Sequence, residues 1–261
     1  MSRTRSAAVA GLFYPADPAQ LHNDIQSMLS TVEETGSKPK ALIVPHAGYI
    51  YSGPIAASAF AQLKDVQHTV KRVILLGPCH RVPLRGLATS SADYFETPLG
   101  NIKIDREAIR QIALLPQVEE FDLTHQQEHS LEVQLPFLQE ILDDFSLVPL
   151  VVGDANAEEV CEVLEKLWGD DETLIVISSD LSHYHDYQTA RAMDKETCQA
   201  IEDMNPSAIR YDQACGRNPV TGLLLAAKKH GLHVTTLDLR NSGDTAGDRS
   251  SVVGYGAWAL S

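Results

Sequence analysis

The chain has 261 residues, 44% apolar and 21% charged, which is enough to bury a core of ordinary globular size. Its formal net charge is -14, which repels nucleic acid and anionic membranes and argues against both as partners. No stretch is apolar for long enough to span a bilayer.

Arg3 and Arg5 ahead of the apolar run from Ala7 to Phe13 look superficially like a secretory leader. The run is short and passes into Tyr14-Pro15 without a cleavage site, so a cytoplasmic chain is expected. Residues 17–31 read as an amphipathic helix, because Leu21, Ile25, Met28 and Leu29 recur at helical spacing. Residues 33–40 are rich in Gly, Ser and charge and read as flexible. Residues 41–44 (Ala-Leu-Ile-Val) form a short apolar run typical of a strand buried on both faces. A small-residue helix is expected over 54–63 and a second buried strand over 72–76. Helices follow over 105–115, with Asp105 as N-cap, and over 131–142. Residues 147–152 read as a strand interrupted by Pro149, and 158–168 as a helix. A third buried strand covers 173–177 and a long helix 187–204. Residues 218–230 read as a helix with Asn218 as N-cap and Pro219 at the first helical position. Residues 233–239 and 251–260 alternate as strands do. The segment between them, 241–249, is the second flexible-looking stretch. With no repeat or long linker, 1–261 is expected to be one domain. Alternating strands and helices predict an α/β fold with a mainly parallel or mixed central sheet and helices on both faces.

In such sheets ligands bind beyond the carboxyl ends of the strands. The three strongest strands end in Pro45-His46-Ala47-Gly48-Tyr49, in Gly77-Pro78-Cys79-His80, and in Ser178-Ser179-Asp180-Leu181-Ser182-His183. One His after a strand is uninformative, being most often a surface or satisfied imidazole. Three at equivalent ends point to a cluster that binds a transition metal or moves protons. Gly48, Gly53 and Gly77 are expected to let the backbone turn sharply beside them. Asp180, Glu128, His129 and Cys215 are the candidates for a third metal ligand.

The four cysteines, Cys79, Cys161, Cys198 and Cys215, show no CxxC spacing and read as free thiols. Cys215 stands before the expected helix and beside Arg217, a setting that lowers a thiol pKa. Cys79 reads as a small packed hydrophobe, and Cys161 and Cys198 as structural residues inside helices. Glu128 and His129 open the helix at 131, where they either cap it or turn His129 toward the site. His183 has a stronger case than His185, while His22, His68, His125, His230 and His233 have no special context.

These segments, in order, resemble the Memo family, whose bacterial and archaeal members are called AmmeMemoRadiSam system protein B. The resemblance runs from Ala10-Gly11-Leu12-Phe13-Tyr14-Pro15 through the three strand ends, Tyr51-Ser52-Gly53, Glu128-His129-Ser130, Gln134-Leu135-Pro136-Phe137 and Cys215-Gly216-Arg217. It ends in Ser251-Val252-Val253-Gly254-Tyr255-Gly256-Ala257. The resemblance implies a fold similar to class III extradiol dioxygenases, which hold iron(II) with two His and one carboxylate. It implies metal ligands His46, His80 and Cys215, with Asp180 and His183 lining the same pocket and His129 joining them if it turns inward. Thiolate in place of carboxylate makes copper or zinc as acceptable as iron(II). Three functions follow as expectations. The first is an iron- or copper-dependent redox or oxygenase-like protein acting on a small molecule. The second is a non-enzymatic pocket for an anionic peptide or small ligand, and the third is a zinc hydrolase. The family name also implies a radical-SAM partner.

Overall fold

The computed structural model describes residues 2–33, 36 and 38–261; of the segment expected to be flexible, Glu34, Thr35 and Ser37 lie outside the described residues. After a two-residue strand β1 (Thr4–Arg5) comes helix α1 (Pro18–Leu29), capped where Asp17 accepts the Gln20 N–H at 2.8 Å and turned so that Leu21 and Ile25 are buried. Strand β2 (Ala41–Val44) leads into α2 (Tyr49–Phe60), which starts five residues ahead of the expected helix and holds Pro54 in its interior. Proline removes a bond to the carbonyl four residues back. That carbonyl belongs to Ile50, in the first turn of the helix on a residue 69% exposed.

Strand β3 (Arg72–Pro78) is followed by β4 (Leu87–Thr89), β5 (Tyr94–Thr97), β6 (Gly100–Ile104), α3 (Arg106–Ile112, capped by Asp105), β7 (Val118–Glu120) and α4 (Asp122–Gln126). The helix expected over 131–142 is a 3-10 turn, Glu132–Gln134, running into α5 (Leu135–Ile141). Then come β8 (Ser146–Val152), α6 (Ala157–Leu167), β9 (Thr173–Ser178), β10 (His183–His185) and α7 (Tyr187–Glu202). The chain finishes with α8 (Arg217–Lys229), β11 (Val234–Asn241) and β12 (Val252–Leu260). Helix α8 begins at Arg217 with Gly216 as N-cap, not at Asn218 as expected. The Asn218 side chain is spent elsewhere, donating to the Gly153 carbonyl at 2.9 Å.

The strands form one twelve-stranded mixed sheet in the order β1-β5-β6-β8-β3-β9-β2-β12, with β10 and β11 both on β12 and β4 linking β7 to β8. Its centre, β6-β8-β3-β9-β2, is parallel; β12 runs antiparallel to β2 and to β11. Every residue of β2 and β9 is buried, which requires cover on both faces. That cover comes from α1, α2 and α5, which pack together, from α3, α6 and α8, and from α7 against β11 and β12. Pro149 does not interrupt β8: the strand runs through it, paired with β3 along its whole length. On the other edge β6 pairs only with Ser146 and Leu147, and β4 only with Val151 and Val152. Pro149 falls in the gap between them, where no strand asks it for an N–H. Among the described residues no helix is long and apolar enough to cross a membrane.

Candidate functional site

Strands β3, β9 and β2 are neighbours, so their carboxyl ends set His80, Asp180 and His46 side by side. The central end ties the others together. Asp180 Oδ1 accepts the His46 backbone N–H at 2.7 Å. The Cys215 N–H donates to the Asp180 carbonyl at 3.2 Å, and the Asp180 N–H reaches back to Cys215 Sγ at 3.3 Å. This clasp needs Gly216, since a Cβ there would lie 2.6 Å from Ser179 Cβ and 2.7 Å from the Ser178 carbonyl oxygen. Gly48, Gly53 and Gly77 do not make the sharp turns expected of them, for none has a positive φ. Gly77 serves by being small: a Cβ would meet Ser130 Oγ at 2.8 Å, so the loop carrying Glu128, His129 and Ser130 can lie against β3.

The hydrogen bonds fix both imidazole tautomers. His46 Nδ1 is 2.8 Å from Ser178 Oγ. That hydroxyl gives its one proton to the Ser130 carbonyl at 2.6 Å and accepts from the Gln134 amide at 2.9 Å. Nδ1 of His46 must therefore carry the hydrogen, leaving the Nε2 lone pair 3.3 Å from Cys215 Sγ. His80 Nδ1 donates to Glu128 Oε1 at 2.8 Å, and its backbone N–H to Oε2 at 2.6 Å. Burial pushes the Glu128 carboxyl up, but the hydrogen bonds it accepts from the His80 ring and from the His80 and Ser130 N–H groups bring it down to about 2, so it is an anion that accepts. Its Oε1 also accepts the N–H groups of His129 and Ser130. The Nε2 of His80 is therefore free as well.

His129 turns toward the site rather than capping a helix. Its ring stacks on His80 at 4.6 Å and 21° and meets Phe13 at 4.7 Å on another side. Phe13 is carried there by the apolar stretch 7–13, which is tied down at Glu132. The Ala8 and Val9 N–H groups, the Tyr14 hydroxyl and Arg5 all donate to the buried carboxylate of Glu132. His183 donates Nδ1–H to the Leu181 carbonyl at 2.8 Å and keeps its Nε2 lone pair. Burial holds His46 well below the ordinary imidazole range, holds His129 at about 4, and lowers His183. All three are neutral at pH 7. Burial raises Asp180 to about 7 despite the His46 N–H.

The expected acidic thiol at Cys215 is corrected. Burial, with Asp180 beside it, pushes the thiol upward. Arg217 gives no help, because its guanidinium donates to the Ile209 carbonyl at 2.7 Å and lies over the Tyr211 ring. Cys79, Cys161 and Cys198 are free thiols, the last two buried in α6 and α7 as expected.

The imidazoles face a cleft of about 690 Å³ walled by Phe13, Tyr51, Arg81, Asp180, His183, Tyr184 and Tyr255. Ser242, Gly247 and Asp248 complete it, from the stretch 241–249 expected to be flexible. That stretch is built instead around a 3-10 turn with a capping box between Asn241 and Asp244, held by the Tyr187 hydroxyl at 2.6 Å. The roles of Ser178 and Gln134 were not foreseen, nor was the place of Arg81 and Tyr184 in the cleft wall. His125 also has a context the sequence hid: it is buried, bonded to the Ala88 carbonyl through Nε2, and its Nδ1 has no partner.

Two groups among the described residues bring donor atoms within 4.8 Å of one another, as a cation requires: His46, His80 and Cys215, and His80, Glu128 and His129. In the second, Glu128 is already spent on four N–H groups. In the first, three atoms converge with no other obligation on either imidazole nitrogen. A tetrahedral ion with ordinary metal–sulfur and metal–nitrogen bonds separates those atoms by about 3.5 Å. The 3.3 Å between His46 Nε2 and Cys215 Sγ fits that geometry.

The model of the Memo-like protein family matches residues 5–259. A MEMO1 family protein of Aquifex aeolicus is 37% identical, with 97% of both chains covered. MEMO1 family proteins of Metallosphaera sedula and Methanosarcina mazei are each 35% identical, covering 96% and 97% of this chain and 97% of their own. A looser likeness, with a TM-score of 0.47 and 13% identity over 82% of this chain and 98% of the other, is to an uncharacterized protein of Escherichia coli K12 and supports no functional inference. The chain belongs to the Memo family.

Proposed function

We propose that this Memo-family chain is a metal-dependent redox protein of oxygenase-like activity, holding iron(II) or copper at His46 Nε2, His80 Nε2 and Cys215 Sγ. The observation that carries the reading is the convergence of two imidazole lone pairs, each set by a partner on its other nitrogen, onto one thiol. Such support on the far nitrogen is what metal-bound histidines have. Iron or copper in that place would supply one-electron chemistry and a position open to an oxidant. Asp180, titrating at about 7, exchanges a proton near neutral pH, and His183 Nε2 can accept one. Phe13 and Tyr255 add apolar surface to the cleft lining. Zinc on the same donors would make a hydrolase instead. A non-enzymatic pocket for an anionic peptide is less well supported, since His46, His129 and His183 are neutral at pH 7 and add no positive charge.

Purification without oxygen followed by elemental analysis and oxygen-uptake assays tests this. Near-stoichiometric iron or copper is expected, lost in Cys215→Ala. Stoichiometric zinc with no oxygen uptake on any substrate would favour the hydrolase. Failure to bind any of the three ions would end the metal reading.

A further inference from the structure

The stretch that presents Glu128 and His129 has no regular structure of its own. Helix α4 ends at Gln126 and the 3-10 turn begins at Glu132, so residues 127–131 rely on outside partners for their backbone groups. Toward the strand ends those partners are in place. Ser130 Oγ donates to the Pro78 carbonyl at 2.9 Å, Ser178 Oγ donates to the Ser130 carbonyl, and the Glu128 carboxylate accepts the backbone and ring N–H of His80. A further partner is no part of the cleft lining: Arg5, the last residue of β1, which is 8% exposed. Its Nε donates to the His125 carbonyl at 3.0 Å, one terminal nitrogen donates to the Glu128 carbonyl at 2.8 Å, and the other pairs with Glu132. Among the described residues nothing else bonds the Glu128 carbonyl. The guanidinium is itself held in place, over the Phe95 ring at 5.3 Å, in a strand whose Arg5 pairs with Phe95.

Stability alone does not call for a buried ion pair here, because apolar residues of like volume often serve as well. What neither an apolar residue nor a lysine can do is bond three points of one loop at once, as the planar fork of arginine does. We infer that Arg5 is a positioning residue of the candidate metal site. By pinning the loop at His125, Glu128 and Glu132 it sets where the Glu128 carboxylate stands, and through that carboxylate where His80 Nε2 points. Glu128 is held at both ends, its carbonyl by Arg5 and its carboxylate by His80, His129 and Ser130. The same pair steadies the neighbouring wall, since Glu132 also accepts the Ala8 and Val9 N–H groups of the segment that brings Phe13 against His129. The inference deepens the metal reading and rests on it only for the effect on metal affinity; the effect on the loop stands without a metal.

The test is hydrogen exchange read by mass spectrometry on metal-free Arg5→Lys, followed by cobalt(II) titration of the same variant. Lysine keeps a charge for Glu132 but has no fork. Peptides covering 127–131 and the His80 amide should exchange about 10-fold or more faster than in the parent, as loss of a charge-assisted bond requires, while α6 and α7 keep the parent rate. Cobalt affinity should fall about 10-fold. Arg72→Gln breaks a pair with Asp105 at the opposite end of β3 from His80, and should leave both the loop and the affinity as in the parent. If Arg5→Lys does not fold, Arg5→Met combined with Glu132→Gln replaces it, leaving no buried charge unpaired, and the same local loss is expected. Parent rates at 127–131, or faster exchange spread evenly over the chain, would overturn the inference. So would parent cobalt affinity in a variant whose loop is loosened, or an equal affinity loss in Arg72→Gln. A parent that binds no cobalt, with the loop loosened locally in the variant, would sink the metal reading and leave Arg5 as the anchor of the loop.

Discussion

His46 and His80 reach the same point from equivalent strand ends, yet they are held there by opposite chemistry. His46 is buried and its Nδ1–H goes to a neutral hydroxyl, Ser178, itself anchored by Gln134 and the Ser130 carbonyl. His80 has a side chain 29% exposed and leans on the Glu128 carboxylate, whose side chain is 1% exposed. The carboxylate is the stronger support, since it raises the basicity of the ring as well as aiming it. It is also the more dangerous to lose, because a buried anion there organises four N–H groups at once. Burial thus fixes His46 largely through shape, while charge fixes the more open His80.

Glu128→Ala should produce the larger damage. It strips the acceptor from His80, His129 and Ser130 together, and leaving even one such buried donor unsatisfied costs about 1–3 kcal/mol. Chemical denaturation measures that loss, and metal titration of the folded fraction should show affinity down about 10–100-fold. A loss below about 1 kcal/mol would show that the carboxylate is not the anchor described.

The next largest effect is acid sensitivity. The Glu128 carboxyl lies at about 2 in the folded protein against an ordinary 4.5. A folded value below the unfolded one means the contribution is complete above pH 4.5 and is lost as pH falls toward 2. The shift corresponds to about 3 kcal/mol at most. Unfolding of metal-free protein followed across that window should therefore be steeper in pH than that of Glu128→Gln. Ser178 does not titrate, so Ser178→Ala should keep the full slope of the parent. Equal slopes in all three proteins would remove Glu128 as the source.

How much of this could be read without coordinates follows the same division. The strands at 41–44, 72–76 and 173–177 were legible because apolar runs buried on both faces carry their own signature, and each delivers its polar residue where α/β sheets bind ligands. Strands β1, β4, β5, β6, β7 and β10 were not, being two to five residues long without clear alternation. Glu128 looked like a helix-capping residue because its partner, His80, lies 48 positions away. The direction of the Cys215 shift was misread for a similar reason. Local sequence shows the helix and Arg217, whereas the burial and Asp180 that decide it come from tertiary structure. Pro149 looked like a break because pairing gaps on one edge of a strand leave no mark in the sequence.

Smaller effects sharpen the contrast. Ser178→Ala should cost about 1–2 kcal/mol, leaving the Gln134 amide and the Ser130 carbonyl short of one partner, and metal affinity should fall about 10-fold as His46 loses its fixed tautomer. An affinity loss equal to that of Glu128→Ala would contradict the ranking of the two supports. Cys161→Ser, buried in α6 away from the cleft, should leave metal affinity unchanged; a matching loss there would show that affinity simply tracks stability.

The central claim, that His46, His80 and Cys215 form one metal site, is tested most directly by cobalt(II) titration of the parent and of Cys215→Ser. Cobalt reports its ligands by absorption, and a thiolate ligand adds a charge-transfer band that imidazole and carboxylate do not. The expected result is saturation at one cobalt per chain with that band in the parent, growing as pH rises because the raised thiol must lose its proton to bind. Cys215→Ser should bind more weakly and lack the band. A parent spectrum without the band, or a band that persists in Cys215→Ser, would contradict the assignment.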